Sequence, residues 1–184
     1  MQQLMFSFRG AHPPAEILAA IRTGRASSFC LFTLNNVESP AQVRQLNEAL
    51  YAAAREGGQP PPLIGIDQEG GQLVAIGAGA TELPGNMALG ATRSTDLAGK
   101  AGYVLGRELL AMGINLNFAP ALDVNVNPRN SVIGIRAFGD NPEWVGKLGA
   151  ALIQAMQARG VIATAKHFPG HGDTNVDSHY AIPV

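Results

Sequence analysis

The sequence is most informative near its end, where it reads Gly160-Val-Ile-Ala-Thr-Ala165 followed directly by Lys166-His-Phe-Pro-Gly-His-Gly-Asp-Thr-Asn-Val-Asp-Ser-His179. The first six residues are apolar or small and predict a buried β-strand. The next fourteen hold one Lys, three His and two Asp, and so many ionisable groups are too costly to bury unpaired. We therefore expect residues 166–179, the reactive loop, to lie outside the core at the carboxyl end of a strand, where α/β proteins place their chemistry.

The rest of the chain alternates short apolar runs with helical patterns. Ser39 is suited to cap one helix, and Ser94 or Thr95 another. The order of elements is repeatedly β then α, which implies a parallel sheet with helices outside it. The predicted strands cover residues 4–8, 29–32, 63–66, 116–118 and 161–165, and the predicted helices cover 13–22, 40–56, 95–112 and 142–159.

Polar residues follow nearly every predicted strand, which is the layout of the active face of a (β/α)₈ TIM-type barrel. A complete barrel needs about 250 residues and eight units, whereas these 184 residues supply about five strands. We therefore expect an α/β fold in which residues 1–184 are the N-terminal part of a single barrel domain and the remainder is not present. An open sheet is the alternative.

Composition narrows the class of protein. Hydrophobic residues make up 46% of the chain and charged residues 15%, as in a globular protein. The net charge is −1 and no Lys/Arg cluster occurs, so we expect no nucleic-acid partner and no membrane partner. Cys30 is the single cysteine and indicates a buried, reduced thiol. The sequence shows no signal peptide and no membrane span, so a cytoplasmic location is expected; it specifies no oligomeric state.

Candidate ligand contacts also lie outside the reactive loop. Asp67 follows the strand predicted over residues 63–66, so its carboxylate should face the active end of the sheet, with a polar turn as the alternative. Arg136 stands among apolar residues and suits either an ion pair that closes a loop or a clamp on a ligand. The Asn-rich stretch over residues 115–128 favours hydrogen bonds that shape loops, and within it Asp123 stays open as a contact.

The reactive loop suits more than one chemistry. Lys166 and His167 can donate hydrogen bonds to hydroxyl groups. In an extended segment residues two apart share a face, so Asp177 can hold the ring N–H of His179 and set its basicity for general acid/base catalysis. A solvated His-rich loop is one alternative, and a zinc-type site is another. The ligands of that alternative metal site would be His167, His171, Asp173 and His179. We predict no cofactor and no metal.

Four segments carry a family resemblance. In chain order they are Asp67-Gln-Glu-Gly-Gly71, Asn117-Phe-Ala-Pro-Ala-Leu-Asp123, Ile133-Gly-Ile-Arg136-Ala-Phe-Gly139, and Lys166-His-Phe-Pro-Gly-His-Gly-Asp173 with Asp177-Ser-His179. Together they resemble glycoside hydrolase family 3 and, more narrowly, its bacterial β-N-acetylhexosaminidase branch. The resemblance covers nearly the whole chain.

The resemblance implies a (β/α)₈ barrel and retaining hydrolysis of terminal, non-reducing β-linked N-acetylglucosamine. The implied substrate is an amino-sugar glycoside or a muropeptide, in cell-wall turnover and peptidoglycan recycling. It assigns His179 as the general acid/base and Asp177 as its assistant, although most glycosidases use two carboxylates. A His suits this role because it titrates near neutral pH. The residues that it implies as ligands of the sugar hydroxyls are Asp67, Arg136, Lys166 and His167.

Two features depart from the family's pattern. The family usually carries Arg a few residues after the Gly-Gly pair, whereas this chain has Gln72 and Ala75. The family's nucleophile is an Asp that we expect beyond residue 184. The alternatives to a hexosaminidase are a β-glucosidase of the same family, which generally lacks the Asp-x-His pair, and a non-catalytic sugar-binding barrel.

We expect the isolated 184-residue chain not to hydrolyse glycosides, because a retaining mechanism needs a carboxylate that forms the glycosyl-enzyme intermediate. The measurement is release of phenol from an aryl β-N-acetylglucosaminide by this chain and by a longer polypeptide that contains it. Equal rates for the two proteins would contradict the expectation.

Overall fold

The computed structural model describes residues 3–183. Its helices and strands, in chain order, are α1 (Ala15–Arg22), β1 (Ser28–Cys30), α2 (Thr33–Asn36), α3 (Pro40–Glu56), β2 (Leu63–Ile66), β3 (Gln68–Gly70), β4 (Leu73–Val74), α4 (Asn86–Thr92), α5 (Thr95–Ala111), β5 (Leu116–Asn117), a 3₁₀ turn (Gly134–Arg136), α6 (Pro142–Gln157) and β6 (Ile162–Ala163).

Four parallel strands form the main sheet in the order β1-β2-β5-β6. Their order in space is their order along the chain, and at least one helix lies between each consecutive pair. The predicted parallel α/β arrangement is therefore confirmed. Because the strands run the same way, their carboxyl ends meet at one edge of the sheet, and the loops that follow them come together there.

The strand predicted over residues 4–8 is wrong in extent. Only Phe6 pairs with the sheet, through an isolated parallel bridge to Phe29, and two backbone hydrogen bonds of 2.9 and 2.8 Å join it to β1. Leu4 and Met5 are exposed. The apolar run therefore contributes one ladder contact beside β1, and Phe8 is the residue of the run that is buried in the core.

Local signals place the helix starts where they were predicted. Ser39 Oγ accepts a hydrogen bond from Gln42 N at 3.2 Å ahead of α3, and Ser94 Oγ accepts one from Leu97 N at 3.2 Å ahead of α5. These caps satisfy backbone N–H groups that have no partner inside the helix. Most boundaries agree with the predictions to within about two residues, which is the usual precision of helix ends.

Sequence patterns do not predict the antiparallel hairpin of β3 and β4. Its turn uses Gly70 and Gly71, with φ of 90° and 62°, a conformation that favours glycine. The buried Gln68 side chain donates to and accepts from the backbone of Ile76 at 2.9 Å each. Asn117 of β5 binds the backbone N–H and carbonyl of Gln68 at 3.0 and 2.9 Å. The hairpin therefore depends on long-range side-chain contacts that no local pattern reveals.

One hydrophobic core lies between the sheet and helices α3, α5 and α6. Ile64 and Ile66 of β2 are fully buried at its centre. With the apolar side chains packed against the helices, the polar residues are left at the carboxyl edge. Across residues 3–183, none of the helices has the length and apolar character needed to cross a bilayer.

Helices α5 and α6 pack closely because glycines of α5 face the backbone of α6. A Cβ added at Gly102 would overlap the carbonyl group of Leu152. Gly99, nearly one turn earlier, lies on a roomier face, where an added Cβ would meet only Ala151 O at 3.9 Å.

We expect Gly102→Ala to lower the free energy of unfolding by about 1–3 kcal/mol, because overpacking outweighs the gain in helix propensity. Gly99→Ala is the matched control and should leave stability unchanged or raise it by up to about 1 kcal/mol. Denaturant unfolding followed by circular dichroism measures both. Equal destabilisation by the two substitutions would contradict the close approach at Gly102.

Candidate active site

The loops at the carboxyl edge of the sheet surround a cavity of about 420 Å³, called here the polar cavity. Its ionisable lining residues are Asp67, Arg136, Lys166, His167, His171 and His179. Its apolar wall consists of Leu31, Phe32, Leu73, Val74, Ala75 and Val132. Five of the six predicted site residues therefore line one cavity, and the sixth, Asp177, contacts His179 from behind it.

A slightly larger cavity of about 460 Å³ lies between α4 and the start of α6, beside Arg93 and Trp144. It contains none of the predicted site residues. Chemistry therefore identifies the site better than size does.

Lys166 joins two carboxylates at the rim of the polar cavity. Its Nζ lies 2.6 Å from Asp67 Oδ1 and 2.6 Å from Glu69 Oε1. The Asp67 side chain is 36% exposed, whereas that of Glu69 is 2% exposed. Asp67 can therefore reach a ligand, while Glu69 acts from beneath.

Arg136 makes a bidentate ion pair with Glu69. Its Nε lies 3.0 Å from Glu69 Oε2, and its Nη2 lies 2.8 Å from Glu69 Oε1. Nη1 donates to Val132 O at 3.0 Å. Of the two roles open for Arg136 from sequence, the ion pair is present. Because the guanidinium also lines the cavity, it is fixed where a ligand would meet it.

The ion pairs set the charge of these groups. Burial raises the pKa of Glu69, but hydrogen bonds from Arg136 and Lys166 outweigh it and hold that pKa below its ordinary value. The pKa of Arg136 is raised, chiefly by its hydrogen bond with Glu69. Both groups are therefore ionised at neutral pH.

His167 rests on Asp123, which is buried. The ring Nδ1 of His167 lies 2.6 Å from Asp123 Oδ2, and Asp123 Oδ1 accepts a hydrogen bond from His171 N at 2.7 Å. Burial raises the pKa of Asp123, but hydrogen bonds from the His167 ring and the His171 backbone outweigh it, so the pKa lies below its ordinary value. Asp123 is thus an ionised carboxylate beneath the His167 ring.

Asp177 and His179 form a second Asp–His pair on an exposed turn. Asp177 Oδ1 lies 2.7 Å from His179 Nδ1 and accepts a hydrogen bond from His179 N at 2.9 Å. These two contacts hold the pKa of Asp177 below its ordinary value, the backbone bond contributing most. The contact agrees with prediction, but the expected extended geometry is wrong: Tyr180 N and Ala181 N bond back to Asp177 O at 3.0 and 3.1 Å, so the segment is a turn.

The earlier part of the reactive loop is held by the Asn-rich segment. Asn130 Nδ2 donates to His171 O at 2.6 Å, and Asn127 Nδ2 donates to Asp173 O at 2.9 Å. His171 is buried, which corrects the expectation that the whole loop lies outside the core. Its burial is possible because the backbone N–H binds Asp123 and the ring contacts Thr174 Oγ1. The structural role expected for the asparagines of residues 115–128 is confirmed at Asn127, and Asn130, just outside that stretch, has the same role.

The alternative metal site is not assembled. Within the part of the chain that the structure describes, no three His, Cys, Asp or Glu side chains come together in a way that could hold a metal ion. His167 is bound to Asp123, and His179 to Asp177.

Sequence reasoning missed Glu69 and left Asp123 open. A signal for Glu69 was present, because it lies two residues after Asp67 in an extended stretch and so shares its face. The charge partners 67 and 97 residues away in sequence, Arg136 and Lys166, gave no local signal.

Comparisons with known proteins identify the family. A family model, Glycosyl hydrolase family 3 N terminal domain, matches residues 1–184. The chain is 46% identical to beta-hexosaminidase A of Pseudoalteromonas piscicida over 178 residues, which cover 93% of this chain and 29% of that protein. It is 38% identical to beta-hexosaminidase of Pseudomonas aeruginosa strain LESB58 over 181 residues, which cover 98% of this chain and 52% of that protein.

Solved structures show the same fold. A family 3 beta-N-acetylglucosaminidase from Paenibacillus sp. str. FPU-7 superposes with a TM-score of 0.94 at 45% identity, covering 99% of this chain and 35% of that one. NagZ from Neisseria gonorrhoeae superposes with a TM-score of 0.87 at 32% identity, covering 98% and 53%. The predicted fold class, part of a (β/α)₈ TIM-type barrel, is confirmed. The chain spans 29% to 53% of the lengths of these relatives.

We expect Glu69→Gln to lower the free energy of unfolding by about 3–5 kcal/mol, because it leaves buried Arg136 without its bidentate partner. The pKa of Glu69 is lower in the folded protein than its ordinary value of 4.5. The stabilisation that Glu69 contributes is therefore complete above pH 4.5 and is lost as the pH falls through the folded-state pKa. Thermal unfolding between pH 7 and pH 3 should therefore show a shallower acid loss in the variant than in the wild type.

Glu143→Gln is the control, because Glu143 pairs with Lys147 at 2.6 Å on the exposed face of α6. This change should have little effect on stability or on its pH dependence. A wild-type free energy of unfolding in Glu69→Gln would contradict the stabilising role of the Glu69–Arg136 pair.

Proposed function

The chain belongs to glycosyl hydrolase family 3, and we propose that the protein containing it is a β-N-acetylhexosaminidase that removes terminal, non-reducing β-linked N-acetylglucosamine with retention of configuration. The observation that carries the proposal is the placement of the Asp177–His179 pair at the cavity that holds Asp67, Arg136, Lys166 and His167. The names of the hexosaminidase relatives support the choice of sugar.

His179 is the proposed general acid/base. Asp177 holds Nδ1, which leaves Nε2 to exchange a proton with the substrate. In the first step the protonated Nε2 gives its hydrogen to the glycosidic oxygen as the C1–O bond breaks and a carboxylate bonds to C1. In the second, Nε2 takes a proton from a water whose oxygen attacks C1 and releases the carboxylate. The Asp177 carboxylate stabilises the imidazolium that precedes the first step.

The sugar is proposed to bind through a preorganised set of polar groups. Asp67 accepts hydrogen bonds from hydroxyls, and Lys166 and Arg136 donate to them. These side chains are already fixed by one another and by Glu69, so little ordering remains when the sugar enters.

We propose that a later part of the whole protein supplies the nucleophilic carboxylate. Asp67 is the only carboxylate among the described residues that line the polar cavity, and Lys166 neutralises it. The relatives are longer than this chain by about a factor of two or more, which leaves room for the nucleophile and the other strands of one barrel domain.

We also propose a substrate and a cellular role for this activity. An amino-sugar glycoside is the substrate class, and a muropeptide in cytoplasmic peptidoglycan recycling is the member of that class favoured by the family resemblance. A β-glucosidase of the same family is less well supported, because such enzymes generally lack the Asp-x-His pair.

We expect the gene product that contains this chain to prefer an aryl β-N-acetylglucosaminide to the matching aryl β-glucoside, and His179→Ala to lower kcat/KM by about 10²- to 10⁴-fold. The loss should be larger for an alkyl glycoside than for a dinitrophenyl glycoside, because a good leaving group needs little protonation. Steady-state kinetics on these glycosides measures both the sugar preference and the effect of the leaving group.

His12→Ala is the matched control, since His12 is exposed and lies outside the polar cavity; it should keep wild-type kinetics. A preference for the glucoside would contradict the proposed sugar, and equal losses for both leaving groups would place the acid/base elsewhere.

A further inference from the structure

Asp123 lies beneath the sugar-facing groups and does not line the polar cavity. Its side chain has 0% exposure. It reaches the cavity through His167, with Oδ2 2.6 Å from the ring Nδ1. Its other oxygen, Oδ1, accepts a hydrogen bond from His171 N at 2.7 Å, so the carboxylate cannot rotate without losing that bond.

The other ring nitrogen of His167 faces a group that can only donate. His167 Nε2 lies 3.2 Å from Arg136 Nη2, and a guanidinium has no acceptor atom. Nε2 must therefore present its lone pair, and the ring hydrogen must sit on Nδ1, where the Asp123 carboxylate accepts it. The two contacts require the same tautomer independently.

We propose that Asp123 is a positioning residue that fixes the ring hydrogen of His167 on Nδ1, so that Nε2 accepts a hydrogen bond from Arg136 and holds the guanidinium where the sugar binds. The guanidinium is then fixed on two sides, by Glu69 and by His167, before a sugar hydroxyl meets it. The kinetic part of this proposal rests on the proposed function, whereas the position of the hydrogen does not.

Asp123→Asn tests the proposal because the amide has nearly the same shape. If the amide oxygen keeps its bond with His171 N, the NH₂ group faces Nδ1 and moves the ring hydrogen to Nε2, against the N–H of Arg136. If the amide turns over, its NH₂ group faces the N–H of His171. Either arrangement leaves two donors opposed.

We expect Asp123→Asn to lower kcat/KM for the aryl N-acetylglucosaminide by about 10- to 100-fold, by analogy with other buried partners that orient a functional His. Most of the loss should appear in KM, because the contact between Arg136 and the sugar hydroxyl exists in both the ground state and the transition state. Asp173→Asn makes the same chemical change at an exposed position of the same loop and should stay within about two-fold of the wild type.

A spectroscopic readout tests the hydrogen position directly. Long-range ¹H–¹⁵N correlation spectra of the ¹⁵N-His-labelled gene product distinguish the two tautomers, and the His167 signals are identified by their absence in His167→Gln. We expect Nδ1–H in the wild type and in Asp173→Asn, and loss of that form in Asp123→Asn. A wild-type spectrum with Nε2–H would reject the proposal even if Asp123→Asn fails to fold.

The outcomes separate the two proposals. A wild-type spectrum with Nε2–H, or an Asp123→Asn protein with wild-type KM and an unchanged tautomer, overturns the role of Asp123. A wild-type protein with the Nδ1–H tautomer but without hexosaminidase activity supports that role and rejects the proposed function instead.

Discussion

Glu69 carries a negative charge in an almost fully buried position, and two cations make that charge tolerable: Arg136 through two hydrogen bonds and Lys166 through one. The three residues come from β3, the 3₁₀ turn and the loop after β6. Desolvating a carboxylate costs several kcal/mol unless such partners offset it. The Glu69 carboxylate therefore holds both cations in place. Asp67 joins the same network at its exposed edge. The surface that lines the polar cavity is thus the exposed side of a buried ionic cluster.

The reactive loop divides into a held part and an exposed part, and the division follows its hydrogen bonds. Up to Asp173, the backbone is bound by Asp123, Asn127 and Asn130. Around His179 the contacts are local, running from Asp177 to the next few residues. The groups proposed to bind the sugar are therefore fixed in advance, while the proposed proton carrier sits on a turn whose few exposed contacts make local motion inexpensive.

Features with a local cause were predictable from sequence. Ser39 and Ser94 cap helices through atoms three residues away, and the strand over residues 63–66 appears with the predicted bounds. The hairpin of β3 and β4 was not predictable, because Gln68 is held by Asn117 from another strand. Glu69 was missed although its spacing from Asp67 placed it on the same face. Its partners are distant in sequence, and a charged residue next to two glycines suggests an exposed turn until the fold brings Arg136 and Lys166 to it.

His167 and His179 show how the surroundings of an Asp–His pair change what the pair can do. In both residues the ring Nδ1 contacts an aspartate carboxylate oxygen, at 2.6 Å in His167 and 2.7 Å in His179. The difference lies at Nε2. In His167 it meets the guanidinium of Arg136, which favours a lone pair there and opposes a second ring hydrogen. The side chain of His179 is 77% exposed, so its Nε2 is accessible from solvent. The same Asp–His pair therefore suits a fixed acceptor for Arg136 in one place and the proposed proton carrier in the other, and the neighbouring cation makes the difference.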